Sequence, residues 1–399
     1  MPAERASRVL MLGTFGLRPK ATLRARALAM AQALAPGEWS FELVTTPWDF
    51  PEDAGKRWSE NGVPVINTRV TQPITFPLAT LETLREARTT PPDLVHLFKP
   101  KGFGDISARM LRRKRPIVVD MDDWEGDGGW NQMGGYSWLQ RRVFDWQERT
   151  WPHQATSLTV ASRELERRAL NLGADPARVH YVPNGLTSAR FDHLASCERH
   201  ERDSTDRPPT ILLYTRFVEF RPEFVVHVLR EVREVHPSAT LRIVGGSADG
   251  HAEQEVRRAA QAAGIADAID WHGWADPNEV SELAAWCDTA IHPFDDTIVN
   301  RAKCSVKLLE LMATGIPIVT TAVGENASFI EDGISGRLTP PGESGMMARA
   351  VIELLQWRTH AEQLGRAAQK RVNALYLWEQ LACRVAGAYR QALDERASH

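Results

Sequence analysis

Short apolar runs of strand length alternate with helix-length segments along nearly the whole chain, and this alternation runs through twice. The first series reads RVLMLG (8–13), FELVTT (41–46), PVIN (64–67), DLVHLF (93–98), PIVVDM (116–121), SLTVA (157–161) and VHYVP (179–183). Helical stretches lie between them, for example at 22–35, 77–88 and 138–151. At 196–209 the text becomes SCERHERDSTDRPP, too charged to bury a core and ending in two prolines, so it reads as a linker. The alternation then restarts with TILLYT (210–215), ATLRIVG (239–245), AIDWHG (268–273), TAIHPF (289–294), IPIVTT (316–321) and GRLTP (336–340). Helices are predicted at 222–236, 251–263, 277–286 and 305–314, the third opened by the cap signal Asp276-Pro277-Asn278-Glu279. Strands that are apolar on both faces need helices on both sides, which means parallel α/β sheets. The 399 residues therefore divide into a Rossmann-like domain at 1–195, the linker, a second such domain at 210–375, and a helix at 376–399 expected to pack back towards the first domain.

Composition narrows the classes. A net charge of −3 supplies no general attraction to nucleic acid, so no nucleic-acid partner is expected. Cys197, Cys287, Cys304 and Cys383 form no CxxC pair, which argues against structural zinc or a disulfide framework. No uncharged apolar run reaches about 18 residues, and MPAERAS leads directly into a strand. The expectation is a cytoplasmic protein, at most peripheral on the inner face of a membrane.

Ligands of open parallel sheets bind beyond the carboxyl ends of the strands, so chemistry is sought in the strand-to-helix loops. In NRAKCSVKLLELMATGIPIVTT (300–321), Lys303, Lys307 and Glu310 fall within an arc of roughly 60° on an otherwise apolar helix. The free amides around Ser305 and Val306 at its start would make an anion site reinforced by the lysines. Glu310, one turn further in, would accept hydrogen bonds from hydroxyls such as those of a ribose. An exposed Lys307–Glu310 pair at i,i+3 is the plainer alternative. In YTRFVEFRPE (214–223), Arg216 and Arg221 flank a strand-to-helix loop and suit a bidentate grip on a diphosphate; a surface Arg–Glu cluster is the alternative. LGTFGLRPKAT (12–22) lacks both GxGxxG and GxxxxGK[ST], so it is a close-approach loop rather than a cofactor fingerprint. VVDMDDWEGDGGW (118–130) gathers Asp120, Asp122, Asp123, Glu125 and Asp127, for a polyhydroxylated acceptor, a divalent metal or a solvated turn.

Two features read as surfaces. RRKR (112–115) is a basic corner, and WLQRRVFDWQERTW (138–151) mixes aromatics with arginines. In that segment Leu139, Val143 and Trp146 follow a core stripe, and packing within the domain competes with contact to lipid headgroups or an amphiphilic acceptor. No Ser–His–Asp arrangement can be assembled, and His292 reads as a strand-end residue.

Taken in order, VHYVPNGL, ILLYTRFVEFR, LRIVGG, WHGW, KLLELMATGIPIVTTAVGEN and EDGISGRLTPPG resemble the retaining glycosyltransferases of family 4 (glycosyl transferases group 1). The resemblance implies the GT-B fold, two Rossmann-like domains facing a central cleft. It implies sugar transfer, with retention, from a nucleotide diphosphate sugar such as a UDP- or GDP-sugar to a glycan, lipid-linked or small-molecule acceptor. Arg216, Arg221, Lys307 and Glu310 take the catalytic and diphosphate- or ribose-holding positions. Gly13, Thr14, Gly273, Lys303, Ser305, Val306, Gly324 and Asn326 are expected around the donor, and Asp120, Asp122 and Asp123 around the acceptor. No metal and no cofactor beyond the donor is expected. Three departures stand out: Ala302 where the family has a carboxylate that contacts the donor sugar, Arg221 for Lys, and the acidic cluster in place of a His. Sugar recognition is then expected to draw on Lys303, on Asp295 or Asp296, or on the Gly324–Asn326 turn. The rival readings are a sugar-nucleotide epimerase of the same architecture and a silent homologue that only binds.

Overall fold

The structure is a computed structural model that describes residues 5–18, 22–70, 76–197, 207–247 and 249–397. Most of the expected linker, 198–206, and residues 19–21 of the first loop lie outside the described residues. The chain forms two compact units. One comprises residues to Thr187, Ala302–Cys304 and the chain from Trp378 on; the other comprises Ser188–Arg301 and Ser305–Leu377. The division therefore falls before residue 188, not at the charged stretch. Residues Ser188–Ala195 form a helix whose Phe191 and Leu194 are buried, and it packs on the helix Val306–Ala313.

The first unit is built on eight strands: β1 Ser7–Gly13, β2 Trp39–Thr45, β3 Arg57–Glu60, β4 Val63–Asn67, β5 Leu94–Phe98, β6 Ile117–Met121, β7 Ser157–Val160 and β8 Val179–Tyr181. Their order is β3-β4-β2-β1-β5-β6-β7-β8. All neighbours are parallel except β3 and β4. That antiparallel edge hairpin was not expected, although its signal is in the text. Asn61 and Gly62, both at positive φ, make the tight turn that such a pair favours. The chain moves outward from β1 through β2 to β4, then returns to lay β5 on the other side of β1. The gap between β1 and β5 is thus the topological switch point of this sheet. The final helix, Trp378–Ala397, completes the unit: Trp378, Leu381, Val385 and Tyr389 enter its apolar core, and the Tyr389 hydroxyl lies 2.8 Å from His96 Nδ1.

The second unit has six parallel strands: β9 Thr210–Thr215, β10 Thr240–Gly245, β11 Ile269–Gly273, β12 Thr289–His292, β13 Ile318–Thr321 and β14 Arg337–Thr339. Their order is β11-β10-β9-β12-β13-β14. The cap signal at Asp276 forms as read, with a reciprocal capping box to Glu279. Both sheets are doubly wound α/β sheets, as the alternation predicted.

One helix departs from its reading. In Trp138–Thr150 the supposed core stripe faces outward, with Leu139, Val143 and Trp146 at 64%, 41% and 52% exposure. The buried positions are Gln147 and Glu148, followed by Trp151. Gln147 accepts from Gly102 N and donates to Gly102 O and Asp105, and Trp151 donates to Asp105. A polar network, not an apolar stripe, seats this helix, so periodicity pointed to the wrong face.

Candidate functional site

In the second unit, β9 delivers Tyr214 and Thr215 to its carboxyl end, and Arg216 follows with its side chain exposed. Among the described residues Arg216 makes no hydrogen bond or ion pair. Phe217 holds a positive φ of 56°, its N–H bound to the Thr215 hydroxyl at 2.8 Å, and its ring is buried against Phe220. A bulky residue in that region is strained by about 1–3 kcal/mol, and such strain gathers at functional turns. Arg221 is 86% exposed and stays 4.0 Å from Asp295, which accepts the Arg221 N–H.

Ser305 caps the helix Val306–Ala313, accepting from Leu308 N, and its hydroxyl lies 3.1 Å from His292 Nε2. His292 ends β12, the strand-end place read for it. The Lys307 ammonium sits 3.9 Å above the Tyr214 ring. Burial raises the Tyr214 pKa, and the charge of Glu310 raises it further while Arg190 and Arg216 oppose. Tyr214 is therefore the common neighbour of Arg216, Lys307 and Glu310, a role no periodicity could show.

Glu310 is buried, at 8% exposure, and is held by Arg190. Arg190 Nε and Nη2 both donate to its Oε1, at 3.0 and 2.6 Å, and Nη2 also donates to Pro277 O at 2.6 Å. Among the described residues Oε2 accepts no hydrogen bond. The i,i+3 pairing alternative is thus replaced: Glu310 goes to Arg190 and Lys307 to an aromatic face. Arg190 was missed because it lies 120 residues away in a stretch read as the end of the first domain.

The remaining donor-side residues fall into two kinds. Gly324 holds φ +51°, and a Cβ there would strike the Arg301 carbonyl, so the backbone of this turn passes where only glycine fits. Gly273 ends β11. Asn326, by contrast, is buried and donates to the Thr320 hydroxyl at 3.1 Å, which ties it to the core. Asp296 is engaged by Arg301, and Asp295 by the Arg221 backbone.

The rest of the expected site belongs to the first unit. Gly13 ends β1, packed against Leu23. The Thr14 hydroxyl is surrounded by carbonyls and lies 2.8 Å from Lys99 O, so it ties the loop after β1 to the loop after β5. The Lys303 ammonium is 5.7 Å from the Trp130 ring centre. Ala302, where the resemblance expects a carboxylate, has no exposed surface.

The acidic cluster has a use other than the one expected. Asp120 is fully buried, clamped by Arg26 Nε and Nη2 at 2.6 and 2.7 Å and bonded to Thr159. Arg26 in turn reaches Asn184 Oδ1 and Val182 O, at 2.9 and 3.0 Å. Lys99 lies among the other carboxylates, 2.6 Å from Asp123, 3.4 Å from Glu125 and 3.5 Å from Asp122; Lys101 is 3.0 Å from Glu125. The cationic position at the centre, where a metal or an acceptor's hydroxyls would bind, is filled by protein ammonium groups. Burial pushes Asp122 up to about 7 despite Lys99. Burial likewise raises Glu125, but Lys99 and Lys101 outweigh it and hold Glu125 below its ordinary value. Glu148, with no exposed surface and no hydrogen bond to either oxygen among the described residues, is pushed far up by burial and by Glu125.

Comparison with known proteins bears on the fold and the family. Residues 198–371 match the family model described as Glycosyl transferases group 1, and residues 22–185 match that described as Glycosyl transferase 4-like domain. A GDP-mannose-dependent alpha-(1-6)-phosphatidylinositol monomannoside mannosyltransferase of Mycobacterium tuberculosis is 25% identical over 263 residues, 65% of this chain and 66% of that protein. A D-inositol 3-phosphate glycosyltransferase of Acidothermus cellulolyticus is 28% identical over 56% of this chain and 50% of its own length. The matched region thus spans half to about two thirds of these relatives. Sucrose-phosphate synthase of Thermosynechococcus elongatus superposes with a TM-score of 0.74 at 18% identity, over 98% of this chain and all of that one. Anabaena HepE, solved with UDP and glucose, gives 0.68 at 16% identity over 96% and 99%. These likenesses establish the fold, two Rossmann-like α/β domains of GT-B type. With both halves of the chain matched, the protein belongs to the group 1 glycosyl transferases.

Proposed function

We propose that the protein transfers a sugar from a nucleoside diphosphate sugar to a hydroxyl of a glycan or lipid-linked acceptor, with retention of anomeric configuration. The observation that carries this reading is the convergence at the end of β9. Arg216 is exposed and, among the described residues, unengaged, Lys307 lies against Tyr214, and Ser305 caps a helix whose N-terminal dipole end favours an anion. Glu310 adds a fixed carboxylate with one oxygen left to accept.

In the proposed reaction the bond between the sugar's anomeric carbon and the diphosphate oxygen breaks, the acceptor oxygen bonds to that carbon from the same face, and the acceptor's hydroxyl proton passes to the departing diphosphate oxygen. The charge that grows in the transition state is on the departing diphosphate. Arg216, Arg221, Lys307 and the helix amides would stabilise it in place, a type of effect worth about 10²–10³ in rate per well-placed donor. Those protein cations supply the countercharge, so no metal is invoked. Glu310, fixed by Arg190, would accept from the ribose hydroxyls. Relatives named as a GDP-mannose-dependent mannosyltransferase and a D-inositol 3-phosphate glycosyltransferase support the reaction class.

A thermal-shift screen of nucleoside diphosphates and their sugars tests the donor, because a ligand selective for the folded state raises the melting temperature. The reading expects one nucleoside diphosphate to stabilise strongly and product formed from its sugar to retain the donor's configuration. Isomerisation of the donor alone would replace it with an epimerase. Binding without transfer across an acceptor panel would leave only a binder.

A further inference from the structure

The first unit contains a cavity of about 370 Å³ whose apolar lining has no part in the site described above. Its floor is formed by the segments that follow three parallel strands: Thr14 and Phe15 after β1, Thr46 and Trp48 after β2, and Lys101 to Phe103 after β5. It therefore opens at the carboxyl edge of the sheet, beside the switch point between β1 and β5, where α/β folds bind ligands. Its wall is the helix Trp138–Thr150. Volume and position both suit a small-molecule site.

The lining decides the chemistry. Most polar side chains around the cavity are already engaged within the unit. Thr14 is held by the Lys99 carbonyl, Thr46 meets the Thr68 hydroxyl at 3.3 Å, and Gln140 closes its helix cap on Ser137 N. Gln147 grips Gly102 and Asp105, and Lys101 is bound to Glu125 and to the Tyr136 hydroxyl at 3.3 Å. What faces the space is carbon: Phe15, Trp48, Phe103, Ile106, Val143 and Phe144. A sugar or polyol would lose water there and find few groups to replace it. The mouth continues onto exposed Leu139, Val143 and Ile106, the last 39% exposed. An apolar cavity whose lining continues onto exposed apolar side chains of a helix face suits an apolar chain long enough to cover both.

We infer that this cavity binds the aliphatic chain of an amphiphilic acceptor, holding the chain while the acceptor's hydroxyl head remains outside. This rests on the transferase reading, narrowing its acceptor to molecules that carry an alkyl, acyl or prenyl chain. Gln147 and its Gly102 and Asp105 bonds fix wall to floor, so the slot is formed before the ligand arrives.

The test uses n-alkyl glucosides from butyl to octyl, below their micelle concentrations, titrated into the full-length protein and followed by tryptophan fluorescence. Nucleoside diphosphate binding is measured in parallel on the same samples. Affinity is expected to rise about fourfold per added methylene until the slot is full. Val143→Asp and Ile106→Asp, at half-exposed positions that tolerate polarity, are each expected to weaken octyl glucoside at least tenfold and leave nucleoside diphosphate binding unchanged. Val143→Trp, which fills the mouth, is expected to shorten the chain length at which affinity saturates. A flat chain-length series, or a slope unaffected by all three variants, overturns the inference. Phenyl glucoside binding tighter than hexyl overturns the aliphatic assignment in favour of an aromatic one. Failure of every nucleoside diphosphate to bind, with the alkyl slope intact, sinks the transferase reading and leaves the chain site standing.

Discussion

At the scale of single residues, the most informative side chain is one the sequence concealed. Arg190 fastens Glu310 through two charge-assisted hydrogen bonds to one oxygen and is itself anchored on Pro277 O. If Glu310 accepts ribose hydroxyls, Arg190→Ala should raise the donor KM about tenfold or more, with a smaller effect on kcat, because a charge-assisted bond is worth about 1.5–3 kcal/mol. Arg190→Lys should recover part of the loss, and an unchanged donor KM would remove Arg190 from the site. Asp120 is the converse case. Its carboxylate was legible as part of an acidic cluster, but nothing local announces Arg26, 94 positions away. Because Asp120 completes a fully buried ion pair, Asp120→Ala should destabilise the fold by about 3–5 kcal/mol in denaturant titration. Loss of acceptor affinity at unchanged stability would restore the acceptor role first expected of it. Spacing reveals which residues share one helix face; it does not reveal partners brought together by topology.

At the scale of elements, strands and long helices were readable, and two elements were not. In the hairpin of β3 and β4, β4 was read as a strand, but β3 is short and polar, so only the Asn-Gly turn marked it. The helix Trp138–Thr150 was recognised as a helix but turned the wrong way, since Gln147 and Glu148 outcompete three apolar residues for the interior. Its buried Glu148 gives a pH-dependent signature. Lys99, Lys101, Asp122 and Glu125 surround it, and burial and Glu125 raise its pKa in the folded state. The folded chain thus holds this proton more tightly than the unfolded chain, so the group's contribution to stability falls as pH rises above about 4.3. Glu148→Gln removes that penalty. Relative to the unaltered protein it should gain up to about 1.4 kcal/mol per pH unit above that point, until the folded carboxyl itself ionises. Asp122, raised to about 7, acts in the same sense below that value. His96, kept neutral by burial with a pKa of about 4, acts oppositely between about 4 and 6.5. His96 is common to both proteins, so the comparison reads Glu148 together with the carboxyls of Asp122 and Glu125 that face it. A stability difference that does not change between pH 5 and 8 would show that its carboxyl is not held protonated.

At the scale of the whole molecule, the repeated strand–helix alternation was enough to give two doubly wound sheets, because apolar runs buried on both faces allow little else. The point of division was less legible. Charge density drew it to 196–209, while packing of Ser188–Ala195 on the helix Val306–Ala313 sets it before residue 188. What joins these scales is the claim that the end of β9 presents a free cation to a departing diphosphate. Arg216 is exposed, makes no bond among the described residues and follows a buried strand, so replacing it should cost no stability. The direct test is the transfer rate of Arg216→Ala with the cognate donor and an acceptor, alongside its melting temperature. The account predicts a loss of about 10²–10³ in kcat at an unchanged melting temperature. Turnover within a few-fold of the unaltered enzyme would contradict it.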